Sequence, residues 1–137
     1  ENMVKELATV SNVLYPYDVT KQPVEYYTSM GYYRLRNLDE ALTRSLNAEK
    51  FSPYNPLVLH NTAGIYQSSK KYDKATSYYL RMQRLFPNYI DPQINLLIIY
   101  SETAQIEEGK NLFNELIKKD SLNPRLMQLK SKYYNQF

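Results

Sequence analysis

The sequence predicts an all-α fold: an α-solenoid of about three helix hairpins, with an N-terminal helix in front and a C-terminal capping helix behind. Three observations carry this reading. Several residue types recur every 34 positions, Asn-Pro and Asp-Pro pairs stand where helices should start, and only three glycines (Gly31, Gly64, Gly109) serve 137 residues. A β-rich chain of this length needs more turn glycines, so their scarcity favours helices.

The repeat is visible in more than one residue type. Tyr32, Tyr66, Tyr100 and Tyr134 are separated by 34 residues, a ladder that a chain with 15 tyrosines can build partly by chance. Other residues keep the same step. Ala41, Ala75 and Gly109 are small, Leu38, Tyr72 and Ile106 are large and apolar, and Asp39, Asp73 and Glu107 are acidic; Pro53 and Pro87 share the interval. A repeat of this length is a pair of antiparallel helices that cannot bury its apolar faces alone, so successive units stack.

Within 1–21, Met3, Val4, Leu7, Val10 and Leu14 recur at helical spacing and are expected to cover the first hairpin; Tyr15-Pro16-Tyr17-Asp18 reads as the connector. The first repeat, 22–55, holds Thr28-Ser29-x-x-Tyr32, Ala41, Ala48 and Pro53, with Asn37 and Glu40 placed as a capping box. The second, 56–89, opens at Asn55-Pro56, an N-cap followed by proline in the first turn. Its first helix carries Leu59-x-x-Thr62-Ala63-x-x-Tyr66 and its second Ala75-x-x-x-Tyr79, with Pro87 as the stop. Ala63 and Ala75 fall where the paired helices should cross, since small side chains let two axes approach, and Tyr66 and Tyr79 fill the flanking gaps.

The third repeat, 90–123, is read with Asp91-Pro92 as its N-cap and carries Leu96-Leu97-x-x-Tyr100, Gly109 and Phe113. Gly109 inside a helix costs about 1 kcal/mol relative to alanine, so close packing is expected there. Asn123-Pro124 opens the capping helix, 124–137, with Leu126, Met127, Leu129 and Tyr134 expected to face inward and Arg125, Lys130 and Lys132 to face water. The reading gives eight helices and no strand.

These positions, best kept in the second repeat, resemble the tetratricopeptide repeat. The resemblance implies a single domain built as a right-handed solenoid, in which the first helix of each pair lines a concave surface. This sequence departs from the pattern at Glu25 and Gln93, where a large apolar residue is usual, at Leu97, where a small one is, and at Ser121, in place of a proline.

On a helical wheel, the concave surface takes Tyr26, Met30 and Tyr33 from the first repeat, His60, Gly64 and Gln67 from the second, and Ile94, Ile98 and Ser101 from the third. Tyrosine and methionine suit adaptable recognition surfaces. Some tetratricopeptide domains grip a partner's terminal carboxylate with lysine and asparagine; Tyr26 and Met30 hold the corresponding places here, which argues against that mode. Tyr32, on the ladder, is expected in the core, with Tyr33 rotated out of it.

Composition excludes several classes of chemistry. Hydrophobic residues make up 43% and charged residues 23%, which fits neither a disordered chain nor a membrane span. The longest apolar run, Leu96–Tyr100, is far shorter than the roughly 20 residues that cross a bilayer. With no signal-peptide pattern and no initiating methionine, the chain reads as a processed product or an excised domain. Cysteine is absent, which removes disulfides and thiolate chemistry.

The net charge of +3 and pI near 8.9 come with interspersed acids, not with a basic stripe for phosphates. Lys70, Lys71, Lys74, Arg81 and Arg84 lie along one second helix and read as a solvated face. His60 is the only histidine and has no carboxylate at ligand spacing. Asp39-Glu40 and Glu107-Glu108 suit helix starts better than paired-acid hydrolysis. No phosphate loop, nucleophile elbow or metal signature is present, so neither catalytic residues, a metal nor a cofactor is expected.

The run "FPNYIDPQINLLIIY", with "VSNVLYPYD" upstream, is similar to the soluble C-terminal tails of O-antigen ligase-like membrane proteins of Bacteroidetes. That likeness implies an accessory domain of a polytopic glycan-transfer enzyme, attached to the bacterial inner membrane and carrying none of its catalytic residues. The expected function is a non-enzymatic scaffold that binds a protein or peptide partner, or its own parent chain, through the concave groove. A glycan- or RNA-binding module using exposed tyrosines is the alternative.

Overall fold

The computed structural model describes residues 22–134, and every regular element among them is a helix. These are α1 (Val24–Arg34), α2 (Leu38–Phe51), α3 (Pro56–Ser68), α4 (Tyr72–Leu85), α5 (Ile90–Glu102), α6 (Ile106–Lys119) and α7 (Pro124–Tyr134). The architecture is the expected all-α helical repeat. The N-terminal helix and connector read from Met3, Val4, Leu7, Val10, Leu14 and Tyr15–Asp18 lie outside the described residues, as do the orientations expected of Lys132 and Tyr134.

The hairpin turns explain the 34-residue step. Arg36, Lys70 and Ala104 have φ of 61°, 56° and 58°, in the left-handed region. The N–H of the next residue in each case (Asn37, Lys71, Gln105) donates to the carbonyl of Tyr32, Tyr66 or Tyr100 at 3.0, 2.9 and 2.9 Å. This backward bond closes each first helix in the manner of a Schellman turn. The tyrosine ladder therefore marks the carbonyls on which each hairpin folds back. The small residue follows at a constant distance: Ala41, Ala75 and Gly109 are all buried on the returning helix.

Capping follows the sequence with two corrections, at the Glu40 half of the capping box and at Asp91-Pro92. Asn55 Oδ1 accepts from the N–H groups of Leu57 (2.9 Å) and Val58 (3.4 Å), and Asn123 Oδ1 from those of Arg125 (3.1 Å) and Leu126 (3.3 Å). Asn37 Oδ1 accepts from the Glu40 N–H at 3.2 Å, while the Glu40 carboxylate accepts from Arg44 Nε at 2.8 Å. Asp91-Pro92, by contrast, is not a cap. The N-cap of α5 is Tyr89, and Pro92 sits inside the first turn, where its missing N–H has no intrahelical bond to lose. The helices α3, α5 and α7 begin at Pro56, Ile90 and Pro124, 34 residues apart. Asp91 is left to accept from Arg125 Nη1 at 2.7 Å.

The chain divides into two compact units, Glu1–Tyr78 and Tyr79–Phe137, and α4 contributes to both. In the first, α1, α2 and α3 pack on one another around Ala41, Ala48, Val58, Leu59, Ala63 and Ile65. A directed polar chain runs through this core. Asn61 Nδ2 donates to Ser29 Oγ (2.7 Å) on α1 and to Ser45 Oγ (3.0 Å) on α2. Ser29 Oγ passes its proton to the Ala41 carbonyl at 2.7 Å. Thr62 Oγ1 donates to the Val58 carbonyl at 3.0 Å, so in its 2.7 Å bond with Ser45 it accepts. Each hydroxyl proton thus has one acceptor, and the hydrogen bonds offset the cost of burying Ser29, Ser45 and Thr62.

The unusual Glu25 is buried in this unit and is held by Arg44 Nη1 at 3.3 Å. Burial opposes the Arg44 charge, but the bonds and fields of Glu40 and Glu25 outweigh it and raise the guanidinium pKa above its ordinary value.

In the second unit α5, α6 and α7 pack together, and Tyr79, Met82, Leu96, Leu97, Phe113 and Leu116 are buried. Asn95 Nδ2 donates to Tyr79 Oη at 3.2 Å. This repeats the Asn61–Ser45 bond with both partners displaced by 34 residues. Gln93, like Glu25, is buried, and its Nε2 donates to the Pro87 carbonyl at 3.3 Å.

Two packing expectations are corrected. Tyr66 is only 6% exposed, but Tyr32 is half-buried. The Tyr66 ring is covered by Tyr78, with centroids 5.7 Å apart, and by Lys74 Nζ at 5.4 Å. The residues 34 earlier are Arg44 and Glu40, which bond each other and leave the Tyr32 ring less covered. Met127 was expected inside and is 48% exposed; Leu126 and Leu129, three apart, define the buried edge of α7 and Met127 is rotated off it.

Three measurements check this account. Replacing Asn61 by Ala leaves two buried hydroxyls without their donor and should cost about 1–3 kcal/mol in urea unfolding. Ala104→Gly relieves the left-handed strain and should stabilise by about 0.5–1 kcal/mol, after the greater freedom of glycine in the unfolded chain is counted. Burial, then the Glu108 charge, raises the Tyr100 phenol above its ordinary value near 10. Its contribution is therefore intact below that value and is lost as pH rises through the folded pKa, so Tyr100→Phe should flatten the alkaline fall in stability.

Candidate functional site

The residues expected on the concave surface divide between the two units. In the first unit, Tyr26, Met30 and Tyr33 lie on α1 at i, i+4 and i+7, and His60, Gly64 and Gln67 hold the same spacing on α3. All six are half-buried. The cause lies in the neighbouring helix faces. Glu25, Thr28 and Ser29 turn α1 into the core, and Val58, Leu59, Thr62, Ala63, Ile65 and Tyr66 do so for α3. The six named residues are what each wheel leaves over, on two helices that pack together.

The aromatic members are held. The Tyr26 ring meets the edge of Tyr27 with centroids 5.3 Å apart and planes 67° to each other. Burial first, and the Tyr27 charge second, push the Tyr26 phenol above its ordinary value, so it stays a neutral donor throughout the physiological range. Tyr33 Oη shares a 2.7 Å hydrogen bond with Ser68 Oγ, which ties the end of α1 to the end of α3. Gly64 is bare: a Cβ built there meets nothing within 4 Å.

None of the six side chains is a lysine, arginine or carboxylate. The face can offer hydroxyls, an imidazole, an amide, a thioether and aromatic carbon, but no fixed charge.

In the second unit the three residues named on the helical wheel differ in burial. Ile98 and Ser101 are half-buried on α5, whereas Ile94 is fully buried. On α5, Pro92, Gln93, Ile94, Leu96, Leu97 and Ile99 are all buried, so the core side of this helix is wider than that of α1 and takes Ile94 with it. Of the residues read as a solvated face, Lys70, Lys71, Lys74 and Arg84 are exposed and Arg81 is half-buried.

Two residues that matter to the site were not singled out by sequence. Asn61 anchors α3 to α1 and α2, and its signal was present, since Asn61 and Asn95 are themselves 34 apart. Ser68, the partner of Tyr33, has no such mark. Among the described residues no group of three or more His, Asp or Glu side chains comes together as a metal site, and no helix is long and apolar enough to cross a membrane.

Solved structures share this fold. One is the first tetratricopeptide-repeat domain of Spaghetti (RPAP3) bound to the HSP90 peptide SRMEEVD. It matches with a TM-score of 0.76 and 21% identity over 88% of this chain and 96% of that one. Another is a tetratricopeptide repeat protein from Parabacteroides merdae ATCC 43184, with a TM-score of 0.82 and 15% identity over 95% of this chain and 50% of that longer one. No protein-family model matches the sequence, and no curated protein does. The O-antigen ligase-like parent read from the sequence gains no support from these matches. What they share with this chain is its fold, that of a tetratricopeptide-repeat domain.

Proposed function

We propose that this chain is a non-enzymatic helical-repeat scaffold that binds a protein or peptide across the face formed by α1 and α3. The observation that carries the reading is that uncharged face itself. Two packed helices present Tyr26, Met30 and Tyr33 and, 34 residues on, His60, Gly64 and Gln67, all half-exposed and none assigned to the core. Aromatic and thioether groups held in place on rigid helices bind with little loss of side-chain freedom. That a domain of the same fold is bound to a peptide supports a polypeptide as the partner class.

The same face argues against an acidic partner. The peptide SRMEEVD carries several carboxylates, and nothing among the six residues supplies a counter-charge to desolvated anions. A glycan or RNA partner draws less support, because Tyr26 already meets Tyr27 edge-on and the Tyr33 hydroxyl is engaged with Ser68. A role beside a glycan-transfer membrane enzyme rests on sequence likeness alone.

The test is to select peptides from a random display library against the whole chain and map them by amide chemical shifts. Selected peptides should perturb 26–33 and 60–67, and Tyr26→Ala should weaken them by about tenfold. SRMEEVD should show no saturable binding in calorimetry up to roughly millimolar concentration. Peptides that map instead to the outer helices α2 and α4, or tight binding of SRMEEVD, would remove this reading.

A further inference from the structure

Gly64 is the one residue of the face that the fold does not account for. Glycine is a poor helix former, and this one lies in the interior of the 13-residue helix α3. The usual structural reasons for it are absent. Its φ is not positive, and a Cβ at Gly64 would meet nothing within 4 Å. Gly109 differs, because it is buried.

Its counterparts sharpen the contrast. The residues 34 before and after Gly64 are Met30 and Ile98, both large and apolar. The repeat therefore carries a bulky side chain at this position and has it cut back to hydrogen only on α3. One turn to either side stand His60 and Gln67, and none of these three positions is a lysine, arginine or carboxylate.

We infer that the bare α3 backbone at Gly64 is the seat for one bulky apolar side chain of an uncharged peptide segment, which fills the volume that Met30 and Ile98 fill for themselves. The inference rests on the proposed role of the α1–α3 face and specifies which partner side chain that face selects. A charged anchor finds no lysine, arginine or carboxylate at these positions to offset its desolvation, and a small one would leave the gap empty.

The experiment uses library-selected, C-terminally amidated peptides of roughly twelve residues, measured against the whole chain and its variants. Gly64→Ala should raise the melting temperature by roughly 3 °C, since alanine is the better helix former and has room, yet weaken the peptides by about fivefold. Gly64→Met, which restores the side-chain size of its counterpart, should weaken them by about twentyfold or more. The selected peptides should share a Leu, Met, Ile or Phe whose replacement by Ala weakens binding to the native chain but not to the Gly64→Met variant.

If Gly64→Met binds as tightly as the native chain while Tyr26→Ala does not, the seat is wrong and the face stands. If neither variant changes the affinity, or if no peptide is recovered, both readings fall.

Discussion

Each hairpin of this protein depends on one constraint: the chain must reverse through a left-handed residue and then present a small side chain to the helix it has just left. Arg36, Lys70 and Ala104 make the reversal, and Ala41, Ala75 and Gly109 follow five residues later in each case. Neither half works alone. The backward hydrogen bonds to the carbonyls of Tyr32, Tyr66 and Tyr100 set the direction of return, and the small residue lets the returning helix come close. Because the interval is constant, every other face of the helices is set in phase as well. This is why the residues left over from packing on α1 and α3 have the same spacing.

The interior is held by direction as well as by apolar area. Around Asn61 the first unit runs two proton chains, one through Ser29 to the Ala41 carbonyl and one through Ser45 and Thr62 to the Val58 carbonyl. Such a network favours one arrangement of the three helices, since displacing any member leaves a buried polar group unpaired. The second unit keeps the asparagine but answers it with a tyrosine hydroxyl, and puts Leu97 where the first has Ser29 and Ala63. The same backbone repeat is thus stabilised by polar complementarity in one unit and by larger apolar side chains in the other.

Function follows from what this packing leaves behind. The outer charges at Lys70, Lys71 and Lys74 stay in water, while the α1–α3 face is neutral and carries aromatic groups whose positions are held by Tyr27 and Ser68. The proposed binding of an uncharged polypeptide rests on this face, since desolvating a charge against it would go uncompensated.

Much of this was legible in the residues themselves. The 34-residue step, the caps at Asn37, Asn55 and Asn123 and the burial of Ala63, Ala75 and Tyr79 are local or periodic properties, and a linear pattern contains them. The start of α5 was misread because proline is equally at home at several places in a first turn, so Asp91-Pro92 fits more than one register. Tyr32, Ile94 and Met127 were misplaced for a different reason. How far a side chain is covered depends on which atoms of other helices reach it, and a wheel drawn for one helix holds no such information. Sequence by itself determined the helices over 22–134, their pairing and the phase that leaves Tyr26, Met30, Tyr33, His60, Gly64 and Gln67 out of the core. Only tertiary structure decided that Arg44 bonds Glu25 and Glu40, that Asn61 joins three helices, and that Gly64 opens onto empty space, because each of these depends on distances between segments that the chain order does not record.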